Sequence, residues 1–118
     1  MKSKNLNRKV AIITGGSKGI GLRFAKILAK RNYDIAICSS NLSDLKKAKK
    51  EIESLNVKCL ILETNISNYK SCKTFVDKTY KYFHRIDALI NNAAIQGPAG
   101  KLWQNDVKDW EKTIQINH

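Results

Sequence analysis

The sequence has a single proline, Pro98, and no repeat, low-complexity tract or interdomain linker, which leaves room for one domain only. No run of eighteen apolar residues occurs, so a membrane-spanning helix is excluded. Behind the charged start Met1-Lys2-Ser3-Lys4-Asn5 there is no apolar stretch of signal-peptide length, and the expected location is the cytoplasm. Cysteines are three in number, Cys38, Cys59 and Cys72, without C-x-x-C pairing, so no metal site is expected. Cys38 and Cys59 lie inside apolar runs and read as buried thiols, a reactive cysteine being the alternative. Acidic residues are scarce, ten against 22 Lys and Arg, which gives a formal net charge of +12. The basic residues are spread from Lys2 to Lys112 and are densest at Lys46, Lys47, Lys49 and Lys50. A nucleic-acid site would join a basic face to exposed aromatics or a recognised module. Neither is found, and solvated helix faces are the expectation.

What is present is an alternation. Val10-Ala11-Ile12-Ile13, Ile35-Ala36-Ile37-Cys38, Cys59-Leu60-Ile61-Leu62 and Ala88-Leu89-Ile90 are short, continuously apolar and partly β-branched, as strands covered on both faces are. Helical periodicities lie between them. Ile20, Phe24 and Leu28 make one stripe, and Leu45, Ala48, Ile52 and Leu55 a second. Cys72, Phe75, Val76, Thr79 and Phe83 make a third. Val107, Trp110 and Ile114 make a fourth, entered at Asn105 or Asp106 as N-cap. The pattern predicts an α/β fold, a parallel sheet sandwiched by helices and joined by right-handed crossovers. The last helical pattern still runs at Ile116-Asn117-His118 without a C-cap glycine, and nothing is foreseen to pair the apolar edge of the fourth strand. Residues 1–118 therefore read as one incomplete domain, cut short after the fourth strand and its following helix.

Thr14-Gly15-Gly16-Ser17-Lys18-Gly19-Ile20-Gly21 follows the first strand and opens the first helix. Gly15 would turn the chain sharply, Gly19 would let the backbone approach a pyrophosphate, and Gly21 would let helix and sheet pack closely. The phosphates would meet free N–H groups at a positive helix end. A glycine-rich turn that binds nothing is the plain alternative. The strand before, the amphipathic helix after and the βαβ frame weigh against it.

At these residues the chain resembles the short-chain dehydrogenases/reductases, which use NAD(P)(H) on a Rossmann-type fold. The turn is similar to their T-G-x-x-x-G-[IL]-G, and Asn91-Asn92-Ala93-Ala94 is similar to their N-N-A-G. Trp110-Glu111-Lys112-Thr113-Ile114-Gln115-Ile116-Asn117 looks like the helix that delivers the family's active-site asparagine. The resemblance runs from Lys9 to His118. It implies that Gly15, Ser17, Lys18, Gly19, Ile20 and Gly21 line the pyrophosphate turn. Asn92, Ala93 and Ala94 would lie along the cofactor ribose, and Asn65 with Ile66 would meet the adenine. Asn117 would position a lysine and a relay water. The family's serine and its Tyr-x-x-x-Lys pair lie beyond this asparagine, so the chain alone is expected to be inactive. Tyr80 and Lys81, and likewise Tyr69 and Lys73, read as ordinary helix residues.

The choice of dinucleotide falls at the end of the second strand, where NAD preference would place a carboxylate on the ribose 2′-OH. The sequence has Cys38-Ser39-Ser40-Asn41 there; Asp34 comes too early and Asp44 is already on the next helix. Ser39 and Ser40 are the expected ribose contacts, and Lys18 resembles the basic residue of NADP-preferring members. NADP(H) is therefore expected over NAD(H). The implied activity interconverts a small-molecule carbonyl and alcohol by hydride transfer, in a homo-oligomer when full length. Two readings compete with it. One is a non-catalytic short form that binds a dinucleotide or a partner; the other, a nucleic-acid-binding protein, rests on charge alone.

Overall fold

The structure, a computed structural model, describes residues 8–91 and 114–117, the last four as backbone. Strands Val10–Thr14 (β1), Asp34–Ser39 (β2), Cys59–Glu63 (β3) and Ala88–Asn91 (β4) alternate with helices Gly19–Lys30 (α1), Leu42–Glu53 (α2) and Tyr69–Phe83 (α3), and Ile114–Asn117 forms β5. The sheet has five strands in the order β3-β2-β1-β4-β5, and every pairing is parallel. This is a Rossmann-type arrangement.

Strand alternation divides the core between the two faces of the sheet. Ala11, Ile13, Ile35, Ile37 and Ile90 pack with Ala25 and Ala29 of α1 and with Leu45, Ala48 and Ile52 of α2. Ile12, Ala36, Cys38 and Leu89 pack with Cys72, Phe75 and Val76 of α3 on the other side. The placement follows from handedness. The chain moves outward from β1 to β3 and then back past β1 to β4, and a right-handed crossover travelling the opposite way must put its helix on the opposite face.

Helix α1 departs from its expected stripe. Its buried residues are Gly21, Ala25 and Ala29, whereas Phe24 and Leu28 lie along the flank and Ile20 is 61% exposed. Small residues let the helix axis come closer to the sheet, which the larger side chains one position earlier would prevent. Leu45, Ala48 and Ile52 of the second stripe and Cys72, Phe75, Val76 and Thr79 of the third are the buried residues of α2 and α3. Leu55 falls beyond the end of α2 and, like Phe83, is half-buried.

The end of the chain also differs from expectation. Ile114–Asn117 is a strand, in register with β4 through Ala88↔Ile114 and Asn91↔Asn117. The helical stripe continued to Ile116 is thereby corrected, and so is the bare edge of the fourth strand. Ile114-Gln115-Ile116-Asn117 alternates apolar with polar, a period of two as well as part of a period of 3.6. The unpaired backbone groups of β4 offer hydrogen bonds that decide between the two. Val107 and Trp110 lie outside the described residues.

The amino ends of the strands are tied by carboxylates. Asp87 accepts the Val10 N–H at 2.8 Å and a bidentate pair of bonds from Arg85, both 2.7 Å. Asp34 accepts the Lys58 N–H at 2.9 Å. The opposite, carboxyl end of the sheet carries the glycine-rich turn that leads from β1 into α1.

Candidate functional site

One register row, Leu62–Cys38–Thr14–Asn91–Asn117, runs across the carboxyl end of all five strands. The order of the strands reverses between β1 and β4, because β1 leads to β2 on one side while β4 joins it on the other. In open parallel sheets the loops at such a point part to opposite faces and leave a crevice for a ligand. The glycine-rich turn leaves β1 at that crevice.

Gly15 takes φ +67° and its N–H donates to the Cys38 carbonyl at 2.9 Å, which anchors the turn to β2. A Cβ at Gly16 would stand 2.5 Å from Ile37 Cγ2 and 3.2 Å from the Ile13 carbonyl oxygen, so only glycine fits against the sheet there. This requirement was not foreseen in the sequence, although a second glycine directly after Gly15 was the available signal. Gly19 is the reverse case: φ is +62° and a Cβ would meet nothing within 4 Å, so its surface faces open space. Ser17 is buried, while Lys18, Gly19 and Ile20 are exposed around the mouth of the turn, and Gly21 is buried beneath it.

The starts of the three helices differ in a telling way. In α2 the Asn41 side chain accepts the Asp44 N–H at 3.0 Å, and in α3 the Asn68 side chain accepts the Ser71 N–H at 2.9 Å. Helix α1 begins at Lys18 with no side-chain cap and no acidic residue in its first turn. Its leading N–H groups therefore point a positive dipole end at the crevice with no carboxylate of its own to neutralise it. The cradle suits a pyrophosphate.

At the end of β2, Ser39 Oγ accepts the Asn41 N–H at 3.2 Å, and Ser40 is exposed. Asp44, set aside in the sequence as lying on the next helix, returns to the site: its Oδ2 is 3.6 Å from Lys18 Nζ. The signal was the adjacency of β1 and β2, which sets the start of α2 beside the glycine turn. Beyond β3, Asn65 Oδ1 accepts the Ser67 N–H at 3.0 Å and Asn65 N–H donates to Ser71 Oγ at 3.1 Å. The Asn65 carbonyl thus shapes its own loop and keeps a second lone pair for a ligand. Ile66 is half-buried against the α3 side of the core.

Cys38 lies under the turn. Burial, with a smaller contribution from neighbouring Cys72, pushes its thiol up to about 12 against hydrogen bonds from Gly15 and Thr64. Cys59, raised to about 12 chiefly by burial, is equally inert. Asn92, Ala93 and Ala94 lie outside the described residues, as does Trp110. Asn117 is on β5 rather than on a helix, at the same rim of the sheet as Asn91. Among the described residues no group of three His, Cys, Asp or Glu is placed to hold a metal ion, and no helix is long and apolar enough to cross a membrane.

A family model described as short chain dehydrogenase matches residues 9–118. The chain belongs to that family. It is 38% identical over 116 residues to the uncharacterized oxidoreductase YhdF of Bacillus subtilis (strain 168), covering 98% of this chain and 40% of that one. The crystal structure of NAD+-bound xylitol dehydrogenase superposes with a TM-score of 0.71 at 31% identity, over 75% of this chain and 34% of that one. L-Sorbose reductase from Gluconobacter frateurii, complexed with NADPH and L-sorbose, gives a TM-score of 0.71 at 30% identity, over 74% of this chain and 34% of that one. This chain thus spans less than half the length of each of these short-chain dehydrogenase relatives.

Proposed function

We propose that the chain is the dinucleotide-binding part of an oxidoreductase that interconverts a small-molecule carbonyl and an alcohol, in the cytoplasm and as a homo-oligomer at full length. The observation that carries this reading is the uncapped start of α1, reached through Gly15 and Gly19 at the point where the strand order reverses. When bound, the nicotinamide supplies or accepts the hydride. The residues of this chain hold the dinucleotide. N–H groups of Ser17 to Gly21 receive the pyrophosphate, and the open face of Gly19 admits it closely. Ser39 and Ser40 take the adenosine ribose, Asn65 and Ile66 the adenine, and Asn92 to Ala94 the second ribose. Asn117 contributes to proton transfer by orienting a lysine supplied from outside this chain, and the chain by itself turns over no substrate.

The reading extends to NADP(H) over NAD(H). Relatives are solved with either cofactor. The support here is the exposed Lys18 ammonium beside Gly19 and the absence of a carboxylate in Ser39-Ser40-Asn41.

Calorimetric titration of NADP+ and NAD+ into wild type, Gly16→Ala and Gly19→Ala tests the site. Gly19→Ala is expected to weaken dinucleotide binding at least tenfold while costing only about 1–2 kcal/mol of stability, from its left-handed backbone. Gly16→Ala is expected to cost about 2–3 kcal/mol of stability through its clash with Ile37. Wild type that binds neither dinucleotide sinks the proposal, and tighter NAD+ than NADP+ sinks its cofactor preference.

A further inference from the structure

We infer that Asp44 restrains the preference of this site for a 2′-phosphorylated dinucleotide by competing for the Lys18 ammonium. The inference rests on the dinucleotide reading above. Lys18 is the last residue of the glycine turn before α1, and its side chain is 80% exposed. Asp44 is in the first turn of α2, its side chain 25% exposed, with Oδ2 3.6 Å from Lys18 Nζ. The two partners are held very differently. The Asp44 backbone is pinned by the Asn41 cap at 3.0 Å, and Asn41 is itself held by Ser39 Oγ at 3.2 Å. The carboxylate thus stands on the short side chain of a capped first turn of α2, whereas the lysine is a long, solvated arm.

An exposed pair of this kind is weak enough to be exchanged for a better anion. A ribose 2′-phosphate arriving near Ser39 and Ser40 would be such an anion, but to recruit Lys18 it must draw the ammonium away from Asp44. A ribose 2′-OH carries no charge and gains little from Lys18, so the competition falls on one ligand class only. Asp44 is a positioning residue here, acting through where it holds Lys18.

Affinities of the chain for 2′,5′-ADP and for ADP, measured by calorimetry in wild type, Asp44→Asn, Lys18→Gln and the double variant, test the inference. Asp44→Asn keeps the side-chain size and is expected to tighten 2′,5′-ADP about three- to fivefold, with ADP unchanged. In the Lys18→Gln background the same substitution is expected to change 2′,5′-ADP affinity less than twofold, and raising the salt should shrink the single-variant gain. An equal gain in both backgrounds would show that Asp44 acts on the phosphate directly and would overturn the inference. No gain in either background, or binding of neither ligand, would overturn it too. The NADP(H) preference fails separately, when wild type binds NAD+ more tightly than NADP+ although Asp44→Asn still tightens 2′,5′-ADP. Ligand-free thermal melts of each variant check that the fold is kept.

Discussion

Asp87 joins the amino ends of β1 and β4 with one carboxylate, which accepts from the Val10 N–H and twice from Arg85. Burial alone would raise its pKa. The Arg85 hydrogen bonds, the Val10 N–H and the charges of Arg85 and Lys9 together outweigh burial and hold the carboxyl below its ordinary 3.8. A carboxyl depressed in the folded chain adds stability that is present above its unfolded value and lost as the pH falls through the folded one. Asp87→Asn should therefore cost about 1–2 kcal/mol at neutral pH. The gap between the variant and wild type should close below about pH 4, as followed by urea unfolding across the acid range. A gap independent of pH would show that packing rather than charge holds the two strands together.

Helix ends in this chain reflect its shortage of glycine, six in all. Each described helix is followed by a left-handed residue that is not glycine: Asn32 at φ 68°, Asn56 at φ 68° and His84 at φ 64°. After α1 the Asn32 N–H donates to Ala29 and the Tyr33 N–H to Leu28, at 2.9 and 3.0 Å, a Schellman closure. Asparagine tolerates this region better than other side chains, and histidine tolerates it less well. His84 is exposed, and its N–H already closes α3 by donating to Tyr80 at 2.6 Å. His84→Gly should keep that bond, relieve the backbone and raise stability by about 0.5–1 kcal/mol, read as an increase in melting temperature. Asn56→Gly should gain less. A lower melting temperature for His84→Gly would mean that the imidazole makes a contact worth more than the strain.

The two halves of the core share one sheet, and this sets how the whole molecule should open. Cys59 belongs to the face under α1 and α2, Cys38 and Cys72 to the face under α3, and all three thiols are free and buried. Because β1 and β2 contribute side chains to both faces, neither layer can lose its packing without exposing the other, and a single cooperative transition is expected. In urea at pH 8 the three thiols should resist a thiol reagent until the midpoint of the far-ultraviolet circular dichroism transition. They should then react together. Early labelling of Cys38 and Cys72 with Cys59 still protected would show that α3 detaches as a separate unit.

Much of this was legible in the residues alone. Four apolar runs with helical stripes between them specify a parallel α/β sheet, because a strand covered on both faces has no polar side and parallel strands need a crossover. The glycines at 15 and 19 mark the turn after β1, since both take a left-handed backbone that a side chain disfavours. Three things were decided only by tertiary structure. The stripe of α1 shifted to Gly21, Ala25 and Ala29 because closeness to the sheet outweighed the area of larger side chains. Residues 114–117 became a strand because β4 presented an unpaired edge, a condition that no local pattern encodes. Asp44 joined Lys18 because strand order places the start of α2 beside the turn after β1, bringing together charges 26 residues apart in the chain. Periodicity is a local property and survives in the sequence, whereas edge pairing and charge proximity depend on which strands become neighbours.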